Sequence, residues 1–223
     1  MVICEKHNFI FLRIPKNASS SLAEFFVRNF CEPTDIWTEV NDCDIRDNNV
    51  DRKLIQKYAY QYRFIHLKLQ ELVDNNVVTE EQVSHKQIIS VLRNPFMRQL
   101  SLYFFLKRGQ RKSPEEFRNI FRNGCSETDS SNKILQTDYA KLNGVDMGTW
   151  WSYKDLDKHV AEFCKLKGKS PSLKLSKFKG GYTPNQIELF DQYYDQKTKD
   201  AVMKYYEKDF DKLMEIETGL EIA

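Results

Sequence analysis

The sequence predicts an α/β fold, a parallel sheet flanked by helices, and three observations lead there. Two short apolar runs, Asn8 to Ile14 and Ile88 to Leu92, read as buried strands. Each ends at a basic residue in a polar loop, Pro15-Lys16 in one case and Arg93-Asn94 in the other. Each loop then opens onto a segment of helical period. A repeated strand, loop and helix is the pattern of parallel strands joined by crossover helices. With 223 residues, 41% hydrophobic and 30% charged, the chain is long enough for one sizeable core, so a single domain over residues 1–223 is expected.

The elements follow in order. Pro15 stops the first strand, the serines at 19 to 21 are candidate helix N-caps, and Leu22, Phe25, Phe26 and Phe30 fall at helical spacing up to Cys31-Glu32-Pro33. Residues 34–52 are polar and acidic and read as a loop, and Leu54 to Tyr60 reads as a short helix. Tyr62 to Leu69 alternates Phe64, His66 and Lys68 against Ile65, Leu67 and Leu69, which favours a strand. Glu71 to Val83 reads as helix or loop. After the second strand, Asn94 is an N-cap type and Pro95 suits the first helical position, so Phe96 to Lys107 continues as a helix with a dense aromatic face. Pro114 to Phe121 and Asp155 to Leu166 read as helices, residues 122–133 and 167–183 as loops, and the chain from Pro184 onward as helical.

Composition excludes several classes. A net charge of +2 does not mark a nucleic-acid binder. Five scattered cysteines, odd in number and without a CxxC pair, argue against a disulfide framework or a zinc site and for a reducing compartment. The N-terminus has no signal-peptide pattern, and no apolar run approaches the ~20 residues of a membrane span. A soluble protein is expected, although a chain trimmed from a Golgi-type anchor reads the same.

Ligands of parallel sheets sit at the carboxyl ends of the strands, where both polar loops fall. The first, Pro15-Lys16-Asn17-Ala18-Ser19-Ser20-Ser21, precedes a helix, so it offers unpaired backbone N–H groups, a lysine and three hydroxyls to an anion. It is not the ATP-type GxxxxGK[ST] loop: the lysine comes first and glycine is lacking. The bland alternative is a serine-rich helix cap beside an exposed lysine. In the second, Arg93 closes the strand and Ser101 lies eight residues on, with Arg98 sharing its helix face. Arginine offers phosphate a planar fork. Two anion sites at neighbouring strand ends suggest a ligand with two anionic groups. From Arg93 to Arg122 eight basic residues face only Glu115 and Glu116, and the run Lys107 to Lys112 either lines a cleft for an acidic acceptor or is a solvated helix end.

The loop PKNASSS followed by VLRNPFMRQLSLYFFLK resembles the cofactor-binding motifs of sulfotransferases, most closely the glycan O-sulfotransferases related to heparan sulfate 2-O-sulfotransferase. The resemblance implies a P-loop NTPase-like parallel sheet flanked by helices. It implies that Lys16, Asn17, Ala18, Ser19, Ser20 and Ser21 hold the 5′-phosphosulfate of 3′-phosphoadenosine-5′-phosphosulfate (PAPS), and Arg93 and Ser101 its 3′-phosphate, with no metal required. The closing segment FKGGYTPNQIELFDQYYDQKTKDAVMKYYEKDFDKL also resembles the family's last segment, which has a Tyr-x-x-Asp-Phe pattern. That places Lys177, Lys179, Gly180 and Tyr182 near the adenosine, where Gly180-Gly181 otherwise reads as a plain turn. The implied activity is sulfuryl transfer from PAPS to an acceptor hydroxyl on a carbohydrate, with Lys16 stabilising charge on the leaving phosphate. The family's catalytic histidine falls at His66, although related enzymes have two histidines flanking a glycine where this chain has Phe64-Ile65-His66. His7, His85 and His159 are the other histidines, and Glu24 is the fallback base. The rival readings are a P-loop phosphotransferase using ATP and Mg²⁺, and a non-catalytic module for anionic ligands.

Overall fold

In the computed structural model, residues 1–32, 34–37, 66–107, 112–122, 134–175 and 186–219 are described. Five strands form the main sheet: β1 (Val2–Cys4), β2 (Phe9–Phe11), β3 (Ile36–Trp37), β4 (Gln87–Leu92) and β7 (Gly148–Ser152), in the order β3-β1-β2-β4-β7. The core is parallel as expected: β2 pairs with β4, and β4 with β7. Beyond β2 the sheet is mixed, because β1 is antiparallel to both β2 and β3. A separate short hairpin joins β5 (Lys141–Leu142) to β6 (Val145–Asp146).

The helices are α1 (Ser19–Phe30), α2 (Leu69–Asp74), α3 (Glu80–Ser84), α4 (Pro95–Leu106), α5 (Pro114–Arg122), α6 (Leu156–Leu166), α7 (Gln186–Tyr193), α8 (Gln196–Tyr205) and α9 (Glu207–Thr218), with a 3₁₀ turn at Gln136–Asp138. Alternate strand residues face opposite sides of a sheet. Phe9 and Phe11 therefore join one core with Leu22, Phe26 and Phe30 of α1 and Phe163 of α6. Ile10 and Leu12 join the other with Leu69 and Leu72 of α2, Tyr139 and Leu213 of α9. A third aromatic cluster, including Tyr103, Phe117, Tyr193 and Tyr206, packs α4 against α5, α7, α8 and α9. Both faces of the sheet are covered, which is why its strands read as continuous apolar runs.

Several expectations change. β2 is shorter than its apolar run, although Leu12 N–H still donates to the Ile89 carbonyl at 2.9 Å. β1 and β3 are too short to carry a period, and β7, Gly-Thr-Trp-Trp-Ser, is not an apolar run, so none of the three has a strand signal in the sequence. The strand expected over Tyr62 to Leu69 is not found in its described part. Leu69 starts α2, with Lys68 N–H donating to Glu71 Oε2 at 2.7 Å and Leu69 N–H to the Tyr139 carbonyl at 2.8 Å, so a local helix cap overrides the alternation. Ser19, Ser20 and Ser21 are not caps: they form the first turn of α1, and Ala18, in the left-handed conformation, precedes it without a side-chain cap. Asn94 does cap α4, its Oδ1 accepting from Phe96 N–H at 3.0 Å. The loop over 38–52, the helix over 54–60 and the 176–185 part of the basic, glycine-bearing loop lie outside the described residues.

Candidate active site

β2 and β4 are neighbours in the sheet, so their carboxyl ends bring the two polar loops side by side. The loops are bonded to each other. Arg93 Nη1 donates to the Lys16 carbonyl at 2.7 Å, and Arg98 Nε, from the first turn of α4, donates to the Pro15 carbonyl at 3.2 Å. Arg13 Nη2 donates to Ser20 Oγ at 3.2 Å. The loop is bent without glycine: φ is +70° at Lys16 and +57° at Ala18, the left-handed region that side chains disfavour. The arginine bonds to consecutive carbonyls hold that bend. Left-handed residues at 16 and 18 are of the kind that shape anion-binding turns, with the Asn17 N–H itself donating to the Ile14 carbonyl at 3.4 Å. The uncapped first turn of α1 adds N–H groups that have no intrahelical acceptor.

A buried network fixes this junction from behind. Gln136 Oε1 accepts from Asn17 Nδ2 at 2.6 Å and from Arg93 N–H at 3.0 Å, and Gln136 Nε2 donates to the Arg93 carbonyl at 2.9 Å. Asn17 Nδ2 also reaches the Val91 carbonyl at 2.6 Å. Asp209 of α9, 0% exposed, accepts from Gln136 N–H and Nε2 on one oxygen and from Thr137 N–H and Oγ1 on the other. Tyr206 takes Gln99 Nε2 of α4 at 2.8 Å, and Phe210 packs on Phe96 with ring centroids 5.0 Å apart. The Tyr-x-x-Asp-Phe pattern thus ties the last helix to both loops.

The site is strongly electropositive. Burial is the main cause that lowers the Arg13 guanidinium to about 10, and it lowers Arg93 as well, with the Arg98 charge adding to the effect at Arg93. Lys16 Nζ lies 4.2 Å from the centre of the Phe105 ring, and the Arg93 guanidinium 4.4 Å from that of Tyr153. His66 keeps accessible area yet is hemmed in by protein. Burial first, then the Arg13 and Arg98 charges among others, hold its pKa down to about 4 against the raising effect of its bond to Arg13. Its Nδ1 lies 2.6 Å from the Arg13 carbonyl. A carbonyl can only accept, so Nδ1 carries the proton and Nε2 presents a lone pair.

A cluster of cations around a helix N-terminus with an adjoining neutral imidazole is suited to moving an anionic group. The family profile described as "Sulfotransferase family" matches residues 1–213. The chain belongs to the sulfotransferase family. Comparison with curated proteins finds no match. Membership establishes sulfuryl transfer to a hydroxyl-bearing acceptor as the reaction class. Among the described residues of this sulfotransferase, no helix is long and apolar enough to cross a membrane.

The fold brings most of the sequence-derived residues together. Lys16, Ala18, Ser20 and Ser21 are half-buried around the loop, and Ser19 is buried in the first turn of α1. Asn17 is buried, and its amide serves as a brace. Ser101 lies on α4 one turn past Arg98, buried on the helix that carries both. Lys177, Lys179, Gly180 and Tyr182 lie outside the described residues. Of the four histidines, only His66 adjoins the loop. His7 and His85 sit at the opposite, amino-terminal ends of β2 and β4. His159 stacks on Trp151 and accepts from Ser152 N–H at 3.2 Å. Glu24 is buried in α1 and pairs with Arg28 at 2.7 Å. Sequence reasoning missed Arg13, Phe105, Gln136, Tyr153 and Asp209 as site or support residues. Arg13 was legible as a lone charge inside an apolar run. Asp209 lies in the Tyr-x-x-Asp-Phe pattern, which marked the segment without giving its bracing role, and Phe105, Gln136 and Tyr153 carry no local signal.

Proposed function

We propose that this sulfotransferase uses PAPS as donor and a carbohydrate hydroxyl as acceptor. The observation that carries the reading is the direct bond from Arg93 to the Lys16 carbonyl, which makes two sequence-distant loops one anion-binding surface. The donor set fits a ligand with phosphate at each end: N–H groups and hydroxyls on one side, a guanidinium on the other. Lys16 to Ser21 would hold the 5′-phosphosulfate, Arg93 and Ser101 the 3′-phosphate, and, on the resemblance alone, Lys179, Gly180 and Tyr182 the adenosine. PAPS supplies an activated sulfuryl group on a phosphate leaving group.

The chain's own residues do the rest. Lys16 exchanges the Phe105 ring for phosphate oxygen and balances charge there. Arg13 has two roles: its side chain steadies Ser20, and its carbonyl fixes the His66 tautomer. His66 Nε2 takes the acceptor's hydroxyl proton. A low free-enzyme pKa keeps this nitrogen unprotonated at neutral pH, and bound anions raise its basicity. The carbohydrate acceptor rests on the motif resemblance.

The test is thermal melting with 3′-phosphoadenosine-5′-phosphate, with ATP and Mg²⁺ as control. At a hundredfold excess over Kd, stabilisation of about 2.7 kcal/mol is expected. Lys16→Ala and Arg93→Ala should each lose most of the shift, while His66→Ala keeps the shift and loses turnover. A shift with ATP and Mg²⁺ but none with the bisphosphate overturns the donor assignment.

A further inference from the structure

At the other end of α1 the fold gathers ligand atoms of a different chemistry. Cys4 ends β1, Cys31 follows the last residue of α1, and Asp35 immediately precedes β3. One ligand atom from each, two Sγ and a carboxylate oxygen, lies within 4.8 Å of the other two. Helix α1 has 12 residues, which separates this cluster from the anion loop by roughly 18 Å along the helix axis. The sulfotransferase chemistry described above makes no use of it.

We propose that Cys4, Cys31 and Asp35 form a binding site for Zn²⁺, with water in the fourth position. Two thiolates and a carboxylate are a donor set that this borderline, tetrahedral ion accepts. Cys4 and Asp35 are buried, whereas Cys31 is half-exposed and leaves a way in. The carboxylate is already oriented by backbone donors. Glu5 N–H reaches Asp35 Oδ1 and Glu32 N–H reaches Oδ2, each at 2.8 Å. Each carboxylate oxygen keeps a further lone pair. Such outer contacts are what hold metal ligands in place.

Binding forms two Zn–S bonds and one Zn–O bond and releases the two thiol protons to solvent, so no oxidant is needed. The Cys4 thiol gives up its 3.5 Å contact to the Phe30 carbonyl, a small loss because S–H is a weak donor. Lys167, whose Nζ donates to the His7 carbonyl at 2.7 Å, places positive charge beside the anionic ligand set. The ion would clip the β1–β2 turn, the end of α1 and the start of β3 together.

The experiment is a Co²⁺ titration of the full-length, reduced, metal-free protein, followed by Zn²⁺ displacement. Expected is a thiolate-to-cobalt charge-transfer band that saturates at one equivalent and is abolished by Zn²⁺, with a rise in Tm on Zn²⁺ addition. Cys31→Ser and Asp35→Asn should each weaken binding by about tenfold or more. Cys31 is half-exposed, so its variant is expected to fold, which circular dichroism checks. A Cys43→Ser/Cys125→Ser double variant should retain the band. Absence of the band at one equivalent, or an unchanged Co²⁺ affinity and band intensity in Cys31→Ser, overturns the proposal.

Discussion

Replacing Asp209 with alanine removes the acceptor for two backbone N–H groups, one amide and one hydroxyl, at distances of 2.9 to 3.2 Å in a fully buried position. Hydrogen bonds to a charged group contribute ~1.5–3 kcal/mol each, and an unsatisfied buried donor costs ~1–3 kcal/mol. The four bonds share one carboxylate and do not add, so a loss of about 3–5 kcal/mol is expected, as when a buried charged partner is removed. For a chain of this size, ~2–4 °C per kcal/mol gives a fall in Tm of ~6–20 °C. Urea unfolding and calorimetry measure it. Asp209→Asn should lose less, because one oxygen still serves one pair of donors while the new NH₂ opposes the other. Because Gln136 also brackets the Arg93 backbone, Asp209→Asn should weaken nucleotide binding even where it folds. An Asp209→Ala protein melting within about 2 °C of the parent would refute the brace.

Asn17→Asp should destabilise by about 2–4 kcal/mol, more than Asn17→Ala, because a carboxylate would face the Val91 carbonyl and Gln136 Oε1, both acceptors. Equal losses in urea melts would mean the amide is not the donor. Tyr206→Phe removes one buried bond to Gln99 and should cost about 1 kcal/mol with little change in fold, read by the same melts. Gly148→Ala should lose about 1–3 kcal/mol, since an added Cβ would meet Trp150 Nε1 at 2.7 Å and Ala140 Cβ at 2.9 Å. His66 has a folded pKa of about 4 against 6.5 for the free side chain, so the unfolded chain binds its proton first. Its contribution to stability is therefore full above about pH 6.5 and is lost as pH falls towards 4. The stability difference between the parent and His66→Gln should narrow between pH 7 and pH 5. A constant difference would contradict the neutral imidazole.

The two halves of the anion site were legible because their signals are local. A basic residue at the end of an apolar run, a polar loop and a helical period lie within about twenty consecutive residues each time, and parallel pairing of β2 with β4 then needs only the general rule for such units. The same locality misled over the described residues 66–69 of the alternating run, where the Lys68 and Leu69 amide bonds start a helix. Short strands such as β1 and β3 carry no period at all.

By itself, then, the order of residues determined the parallel α/β core, the two cationic turns and the reaction class that their paired motifs imply. Tertiary structure alone decided that Arg13 and Gln136 support those turns, that the aspartate of the closing pattern braces them through Gln136, and that cysteines without metal-type spacing meet at Asp35. The reason is distance along the chain. Asn17 and Gln136 bond across 119 residues and Gln136 and Asp209 across 73, and no window of sequence period spans such contacts. They exist only once the sheet has closed its two cores and carried the last helix back against the first loop.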